Sequence, residues 1–127
     1  MRKTLLSVLA AVALMRYECV NPRVIDGDTV ACDIQLGFDL ALMNEPVRML
    51  GVDTPELSKQ PVEANKAKDR TKGLVAGAPG DVAVLVDPKH SRDKYGRVLG
   101  IMMAGETNIN ATLLAEGLGK PYDGGKR

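Results

Sequence analysis

The sequence predicts one α+β domain, mainly β, in which five strands form a small barrel and two helices cover it. Three observations predict this fold class. The chain has 127 residues, the length of one ordinary domain. Its hydrophobic fraction is 45% with no Trp and one Phe, so aliphatic side chains must fill the core. Segments rich in β-branched residues alternate with turn signals, and two other segments have the composition of helices.

The first three strands are predicted between residues 17 and 52. Residues 17–25 and 29–36 are rich in Val and Ile, and Asp26-Gly27-Asp28 between them is typical of a hairpin turn. Residues 46–52 predict the third strand, which follows an irregular connection. Pro55 then prevents the ladder from continuing.

The rest of the chain predicts a helix, two strands and a second helix. Residues 62–75 are rich in Ala, Lys and Glu and predict a helix that stops near Gly77. Residues 81–86 and 97–103 predict strands four and five. Asn108 or Asn110 can cap the second helix. This order fits a five-stranded OB-type barrel with a helix inserted between strands three and four.

The charge balance excludes one class of function. The formal net charge is +1, from 17 basic and 16 acidic residues. A protein that coats nucleic acid through a broadly basic surface would have a large excess of Lys and Arg. Any recognition of phosphate must therefore be local, through a bound cation or a few arginines.

The N terminus predicts an export signal. Met1-Arg2-Lys3 precede an apolar run over residues 4–14, and Ala11-Val12-Ala13 is a small-residue cleavage pattern. We therefore expect residues 1–13 to be a signal peptide and residues 14–127 to be the domain, secreted or periplasmic. The alternative is that Met15 is the true start and the protein is cytoplasmic. The apolar run is too short to span a hydrocarbon core of about 30 Å, so we expect no stable membrane association.

The two cysteines, Cys19 and Cys32, predict no zinc site because they have no further Cys or His partner in a ligand pattern. An exported protein could join them in a disulfide. On a hairpin that turns near Gly27, however, they would lie at different heights. We therefore expect free thiols packed as small apolar groups.

Three short polar motifs are candidates for chemistry. Each motif alone is typical of ordinary structure, namely a hairpin tip, a helix-entry turn with a capping acid, or a solvated loop. The barrel order, however, brings the start of strand two, the end of strand three and the loop before strand five near one another, so we expect the motifs to converge. The motifs are Asp26-Gly27-Asp28-Thr29, Arg48 with Asp53-Thr54-Pro55-Glu56, and Asp93-Lys94-Tyr95-Gly96-Arg97.

The acidic residues of these motifs suit a calcium ion. Asp28 and Asp53 supply hard carboxylate oxygens, and the backbone carbonyl of Thr54 with several waters could complete six to eight ligands at about 2.3–2.6 Å. The cluster has no His or Cys, which argues against zinc.

The remaining residues suit hydrolysis of a phosphodiester. The guanidinium groups of Arg48 and Arg97 are permanently charged and can each bind two phosphate oxygens. Glu56 could orient or deprotonate the attacking water. Histidine side chains can serve as general acids, but the loop that holds His90 is predicted to be solvated, so we expect no such role for it.

With these motifs in this order, the chain resembles the thermonuclease (staphylococcal nuclease-like) family from about residue 17 to residue 120. The resemblance implies Ca²⁺-dependent cleavage of DNA and RNA that favours unpaired or frayed strands and leaves 3′-phosphates. It implies that Asp28 and Asp53 bind calcium, that Arg48 and Arg97 bind the scissile phosphate, and that Glu56 is the base. The matching segments are residues 24–30, 47–56, 93–97 and 110–119.

The resemblance also implies three contacts to the nucleotide. Tyr95 and Tyr122 would lie against a base or sugar, and Lys94 near a terminal phosphate. Tyr122 matches the family only with a shift in the alignment, and Tyr95 could instead pack on the barrel. The chain departs from the best-known members in a shorter segment after Glu56 and in the missing C-terminal helix, whose loss would uncover part of a small barrel.

Two other functions fit the same fold. A catalytically silent OB-fold module that binds single strands or a protein partner would be expected to lose Arg48, Glu56 or Arg97, and all three are present. A structural calcium-binding domain would not need arginines that repel the cation. The sequence therefore favours a nuclease, expected to be monomeric, with DNA and RNA as substrates.

Overall fold

The structure, a computed structural model, describes residues 13–125. Residues 1–12 of the predicted signal peptide therefore lie outside the described residues. No helix within the described part is long and apolar enough to span a membrane. The elements are β1 (Met15–Asp26), β2 (Thr29–Gly37), β3 (Leu40–Met49), β4 (Val52–Asp53), α1 (Pro61–Ala76), β5 (Val82–Val86), β6 (Val98–Ala104), β7 (Thr107–Asn108), α2 (Ile109–Ala115) and β8 (Lys120–Pro121).

Five of the strands form a closed barrel. β1 pairs antiparallel with both β2 and β5, β2 pairs with β3, and β5 pairs with β6. A parallel pairing of residues 47–49 in β3 with residues 98–100 in β6 closes the sheet. Taken in chain order, the strands follow the order 1-2-3-5-4 around the barrel. The predicted OB-type fold with two helices is confirmed.

The connection between β2 and β3 differs from the prediction. We predicted an irregular segment before a strand starting at Pro46, but β3 begins at Leu40 and forms a tight hairpin with β2. The two loop residues, Phe38 and Asp39, have φ values of 54° and 63°. Two consecutive positive φ angles are typical of a type I′ turn, for which Asn and Gly are the usual signals. Phe38 carries no such signal, so the hairpin was missed.

The barrel interior is filled by aliphatic side chains, as the composition predicted. Each large aliphatic side chain moved from water to this interior contributes about 1.5–3 kcal/mol to stability. The largest fully buried side chains are Ile34, Met49, Met102, Ile109 and Leu113.

Helix α1 packs directly on the tip of the β1–β2 hairpin. A Cβ atom built on Gly27 would lie 2.7 Å from the Cβ of Ala67 and 3.0 Å from Cγ2 of Thr54. The hydroxyl of Thr71 also donates a hydrogen bond of 2.7 Å to the carbonyl of Gly27. Gly27 is therefore required for the close approach that fixes the acidic turn against the helix.

Cys19 and Cys32 form a disulfide between β1 and β2, with a Cα–Cα distance of 5.4 Å, so the prediction of free thiols was wrong. Regular pairing from the turn would place Cys19 opposite Leu36. Two irregularities in β1 shift the register, and Cys19 pairs with Ile34 instead. Cys32 is two residues from Ile34, hence on the same face as Cys19 and within reach of a disulfide.

Candidate active site

The acidic centre lies where β2 begins and β4 ends. Asp28 and Asp53 are each 5% exposed. The Thr29 hydroxyl donates to Oδ1 of Asp28 at 3.0 Å, and the backbone N–H of Thr54 donates to its Oδ2 at 3.0 Å. These hydrogen bonds fix the Asp28 carboxylate and join the hairpin tip to the turn that follows β4.

Arg48 lies between the two aspartates and is itself 4% exposed. Its Nη2 atom is 3.3 Å from Oδ2 of Asp28 and 3.2 Å from Oδ1 of Asp53. Its Nη1 atom donates to the backbone carbonyls of Met49 and Val52, at 3.1 and 2.8 Å. The guanidinium therefore partly neutralises two buried carboxylates whose desolvation would otherwise be costly.

The loop before β6 holds Arg97 through Asp93. Oδ2 of Asp93 accepts a hydrogen bond of 2.8 Å from Nε of Arg97, and Oδ1 accepts from the backbone N–H groups of Tyr95 and Arg97, each at 2.9 Å. Partial burial raises the pKa of Asp93, but these hydrogen bonds outweigh it and hold the pKa below its ordinary value. The side-chain bond uses Nε and so does not engage the two Nη atoms.

The three motifs meet at one cavity of about 580 Å³. It is lined by the three residues predicted to be catalytic, Arg48, Glu56 and Arg97, and we therefore call it the catalytic cavity. Asp28 and Thr54 line it as well. Because the three motifs come from distant parts of the chain, only barrel closure places them around one volume.

Asp53 does not line the catalytic cavity; it lines a neighbouring cavity, which Glu56 borders as well. This second cavity has a volume of about 530 Å³ and shares Thr54, Pro55 and Glu56 with the catalytic cavity. The Glu56 side chain is 32% exposed, and its Oε2 atom is 3.3 Å from Nζ of Lys59. Glu56 is therefore partly accessible to solvent water.

The donor set near Asp28 and Asp53 fits a hard cation. Both carboxylates are buried, and the backbone of Thr54 lies next to Asp28, to which its N–H donates. No group of three His, Cys, Asp or Glu side chains within residues 13–125 converges in the manner of a metal site. The two carboxylates supply oxygen ligands, which suit Ca²⁺ better than a transition metal.

A third cavity, of about 230 Å³, adjoins both arginines and is lined by the three predicted nucleotide-contacting residues, Lys94, Tyr95 and Tyr122. The Arg48 guanidinium carbon lies 5.4 Å from the centroid of the Tyr122 ring, and Nζ of Lys94 lies 5.4 Å from that of Tyr95. The guanidinium carbon of Arg97 lies at the same distance from Tyr95. Tyr95 is 73% exposed, so most of its surface faces solvent and little of it packs on the barrel.

Three residues of this region were not assigned a role from the sequence. Asp26 lines the catalytic cavity together with Asp28, which an i, i+2 spacing at a strand end permits. Asp93 lies in the third motif, but the sequence did not predict that it binds Arg97. For Asn110 the sequence predicted only a possible helix cap.

The N-cap of α2 is Asn108, so Asn110 does not cap the helix and makes other contacts. Asn110 is 4% exposed and accepts a hydrogen bond of 3.0 Å from the backbone N–H of Met102. Its amide donates to the carbonyls of Leu50 and Gly100, at 2.8 and 3.1 Å. It therefore ties the turn before β4, and with it Asp53, to β6.

His90 lies away from these three cavities. Its Nδ1 atom is 3.0 Å from Oδ2 of Asp87 in the β5–β6 loop, and its side chain is 79% exposed. Nothing in this arrangement places it against the acidic centre.

Comparison with known proteins gives a family. A family model described as Staphylococcal nuclease homologue matches residues 46–126. Thermonuclease from Staphylococcus intermedius is 38% identical over 102 residues, which cover 77% of this chain and 55% of that protein. Endonuclease YncB from Bacillus subtilis is 38% identical over 103 residues, covering 77% of this chain and 44% of that protein.

A third relative, SPbeta prophage-derived endonuclease YokF from Bacillus subtilis, is 35% identical over 103 residues, covering 77% of this chain and 32% of that protein. The matched region is therefore about half of the thermonuclease and less of the two endonucleases. The family match covers more than half of this chain and includes Arg48, Glu56 and Arg97. With this match and its closed OB-type barrel, the chain belongs to the staphylococcal nuclease family.

Proposed function

We propose that this protein is a calcium-dependent nuclease that hydrolyses phosphodiester bonds in DNA and RNA, favours single-stranded or frayed strands and leaves 3′-phosphate products. The observation that carries the proposal is the placement of Arg48, Glu56 and Arg97 around one cavity together with the buried carboxylate of Asp28. The names of the relatives, thermonuclease and endonuclease, support the same activity.

Two permanent positive charges suit the phosphate. Arg48 and Arg97 reach the cavity from different elements, so a diester held there would meet a guanidinium from two directions. In-line hydrolysis spreads negative charge over the phosphoryl oxygens, and fixed donors stabilise that charge without reorganisation. Asp93 holds Arg97 in place through Nε, which lowers the entropy cost of using its remaining nitrogens.

Asp28, Asp53 and the backbone of Thr54 would hold the calcium ion. When bound, the cation supplies positive charge next to a phosphate oxygen and lowers the pKa of a bound water. Arg48 already contacts both aspartates, so one positive charge of the chain partly offsets the two negative charges.

Glu56 is the group proposed to orient or deprotonate the attacking water. It is the acidic residue of the lining that combines partial exposure with a place in both the catalytic cavity and its neighbour. General-base assistance of this kind is typically worth about 10²–10⁴-fold in rate.

Lys94, Tyr95 and Tyr122 are proposed to hold the nucleotide next to the scissile phosphate. Their cavity adjoins Arg48 and Arg97, and the rings offer faces on which a base or sugar can pack. A small lining of this kind contacts one nucleotide and carries few base-specific donors, which suits cleavage without strong sequence preference.

The test is degradation of denatured DNA by purified protein, in Ca²⁺ or in a chelator. We expect Ca²⁺-dependent cleavage that falls about 10²–10⁴-fold in Glu56→Gln and about 10²–10³-fold in Arg97→Ala. Glu106→Gln is the matched control, because Glu106 is an exposed residue in the turn before β7. A gel shift without cleavage would instead support a silent binding module. Full cleavage in Mg²⁺ alone would show that the calcium assignment is wrong.

The disulfide supports the further proposal that residues 1–13 are an export signal and residues 14–127 the exported domain, which we propose is monomeric. Disulfides persist in oxidising compartments and are rare in the cytosol. Mass spectrometry of the mature N terminus tests the export proposal, and cleavage after Ala13 is the expected result.

A further inference from the structure

A groove continues from the catalytic cavity past Glu56. It is the neighbouring cavity of about 530 Å³, and it is joined to the catalytic cavity along Thr54, Pro55 and Glu56. The cavity with the two tyrosines joins the catalytic cavity elsewhere, along Arg48 and Arg97. The catalytic cavity therefore connects two spaces that differ in chemistry.

Two lysines line this groove, Lys59 and Lys120, and no aromatic residue does. Lys120 lies opposite Asp53 in the β4–β8 pairing. Cross-strand partners lie on one face of a sheet with Cβ atoms about 4.5–5.5 Å apart, so Lys120 lies next to the acidic centre. Both lysines are exposed.

Lys59 is held by a hydrogen-bonded turn. The backbone N–H of Lys59 donates to the carbonyl of Glu56 at 3.1 Å, and that of Gln60 donates to the same carbonyl at 2.8 Å. Helix α1 begins at the next residue, Pro61. The short segment between the acidic turn and the helix therefore keeps Lys59 at the groove.

We propose that this groove binds backbone phosphates of the substrate strand, on the side of the scissile phosphate away from the tyrosine cavity. This inference rests on the proposed nuclease function. A lysine ammonium binds phosphate as a point charge and reads no base, and a lining without rings offers no stacking surface. The strand would thus be bound through a base in the tyrosine cavity and through its backbone phosphates in the groove.

The charges that line the groove are compatible with bound backbone phosphates. Asp53 and Glu56 in its lining would repel a phosphate, while Lys59 and Lys120 supply compensating positive charge. A phosphate bound by the Lys59 ammonium would compete with the contact of 3.3 Å between Lys59 and Glu56.

The experiment compares kcat/KM for a dinucleotide and for a single strand of about twelve nucleotides, which is within the range bound by small OB folds. The test variant is Lys59→Ala/Lys120→Ala. The matched control is Lys72→Ala/Lys89→Ala, which removes the same charge from exposed sites on α1 and in the β5–β6 loop.

We expect the test variant to lose about three- to tenfold more kcat/KM on the long strand than on the dinucleotide, since exposed charge pairs each contribute little. Its plot of log kcat/KM against log salt on the long strand should be shallower by about 1.4, or about 0.7 for each lost phosphate contact. Lys59→Arg/Lys120→Arg should restore the preference for the long strand.

The outcomes separate the two proposals. If the unmodified protein cleaves neither substrate, the proposed function fails. If it cleaves both and the test variant loses equal activity on both, or none, the groove does not bind phosphates while the nuclease proposal stands. The same conclusion follows if the control variant gives the same length-dependent loss.

Discussion

Arg48 and Asp53 form a buried ion pair, in which Nη2 lies 3.2 Å from Oδ1 and each side chain is 5% exposed. Arg48→Ala would leave two buried carboxylates without this partner, and breaking such a pair typically costs about 3–5 kcal/mol. We expect a loss of this size in the free energy of unfolding, measured by urea denaturation in a chelator. Calcium should restore part of the lost free energy of unfolding, because a bound cation stabilises the folded state and can replace the lost positive charge.

The control for that experiment is Arg16→Ala, which removes an exposed arginine from β1. Arg16→Ala should change the free energy of unfolding little, both in the chelator and in calcium. An equal loss for Arg48→Ala with and without calcium would contradict the assignment of the ion to Asp28 and Asp53.

The disulfide between Cys19 and Cys32 should supply a large share of the stability. The bond closes a loop with a sequence separation of 13, and cross-links of this size stabilise by about 3 kcal/mol through the entropy of the unfolded chain. We expect dithiothreitol to lower the urea midpoint of the native protein. The double variant Cys19→Ala/Cys32→Ala should start at that lower midpoint and show no response to the reductant.

Asp93 should make stability depend on acid pH. Its pKa is held below the ordinary value by Arg97 and Tyr95, so its stabilising effect is present above about pH 4. That effect is lost as the pH falls through the lowered pKa. Between about pH 5 and pH 2 we therefore expect the native Tm to fall more steeply than that of Asp93→Asn. Parallel Tm curves would show that the carboxylate does not carry this role.

Gly27 should tolerate no side chain. Gly27→Ala places a Cβ 2.7 Å from the Cβ of Ala67, and overpacking of this kind costs about 1–3 kcal/mol. The clash also pushes Asp28 away from Thr54, so we expect calcium binding, measured by calorimetry, to weaken along with stability. Gly80→Ala is the control, since a Cβ there meets nothing within 4 Å.

Much of the fold could be predicted from local patterns. The segments that became β2, β5, β6 and α1 have compositions that match their states, and their order fits the barrel that the structure contains. The same motifs drew attention to Asp28, Arg48 and Arg97. What local patterns could not supply was register, because pairing depends on bulges and turns whose residues carry no standard signal.

Two corrections come from that limit. The hairpin was missed because the first of its two positive φ angles occurs at Phe38, a residue type that is not typical of such turns. The disulfide was missed because two irregularities in β1 bring Cys19 into line with the face that holds Cys32. The first error concerns the conformation of a turn, and the second concerns the register between two strands.

By itself, the sequence determined the order of the five barrel strands and the two helices, the aliphatic core and the identity of the charged side chains that could bind a phosphate. Only the tertiary structure decided which of those charges touch. The contact of Arg48 with Asp28, and the cavity that Arg48, Glu56 and Arg97 line together, both depend on it. The physical reason is that electrostatic interaction falls with distance and depends on burial, and both are fixed by barrel closure and strand register between segments far apart in the chain.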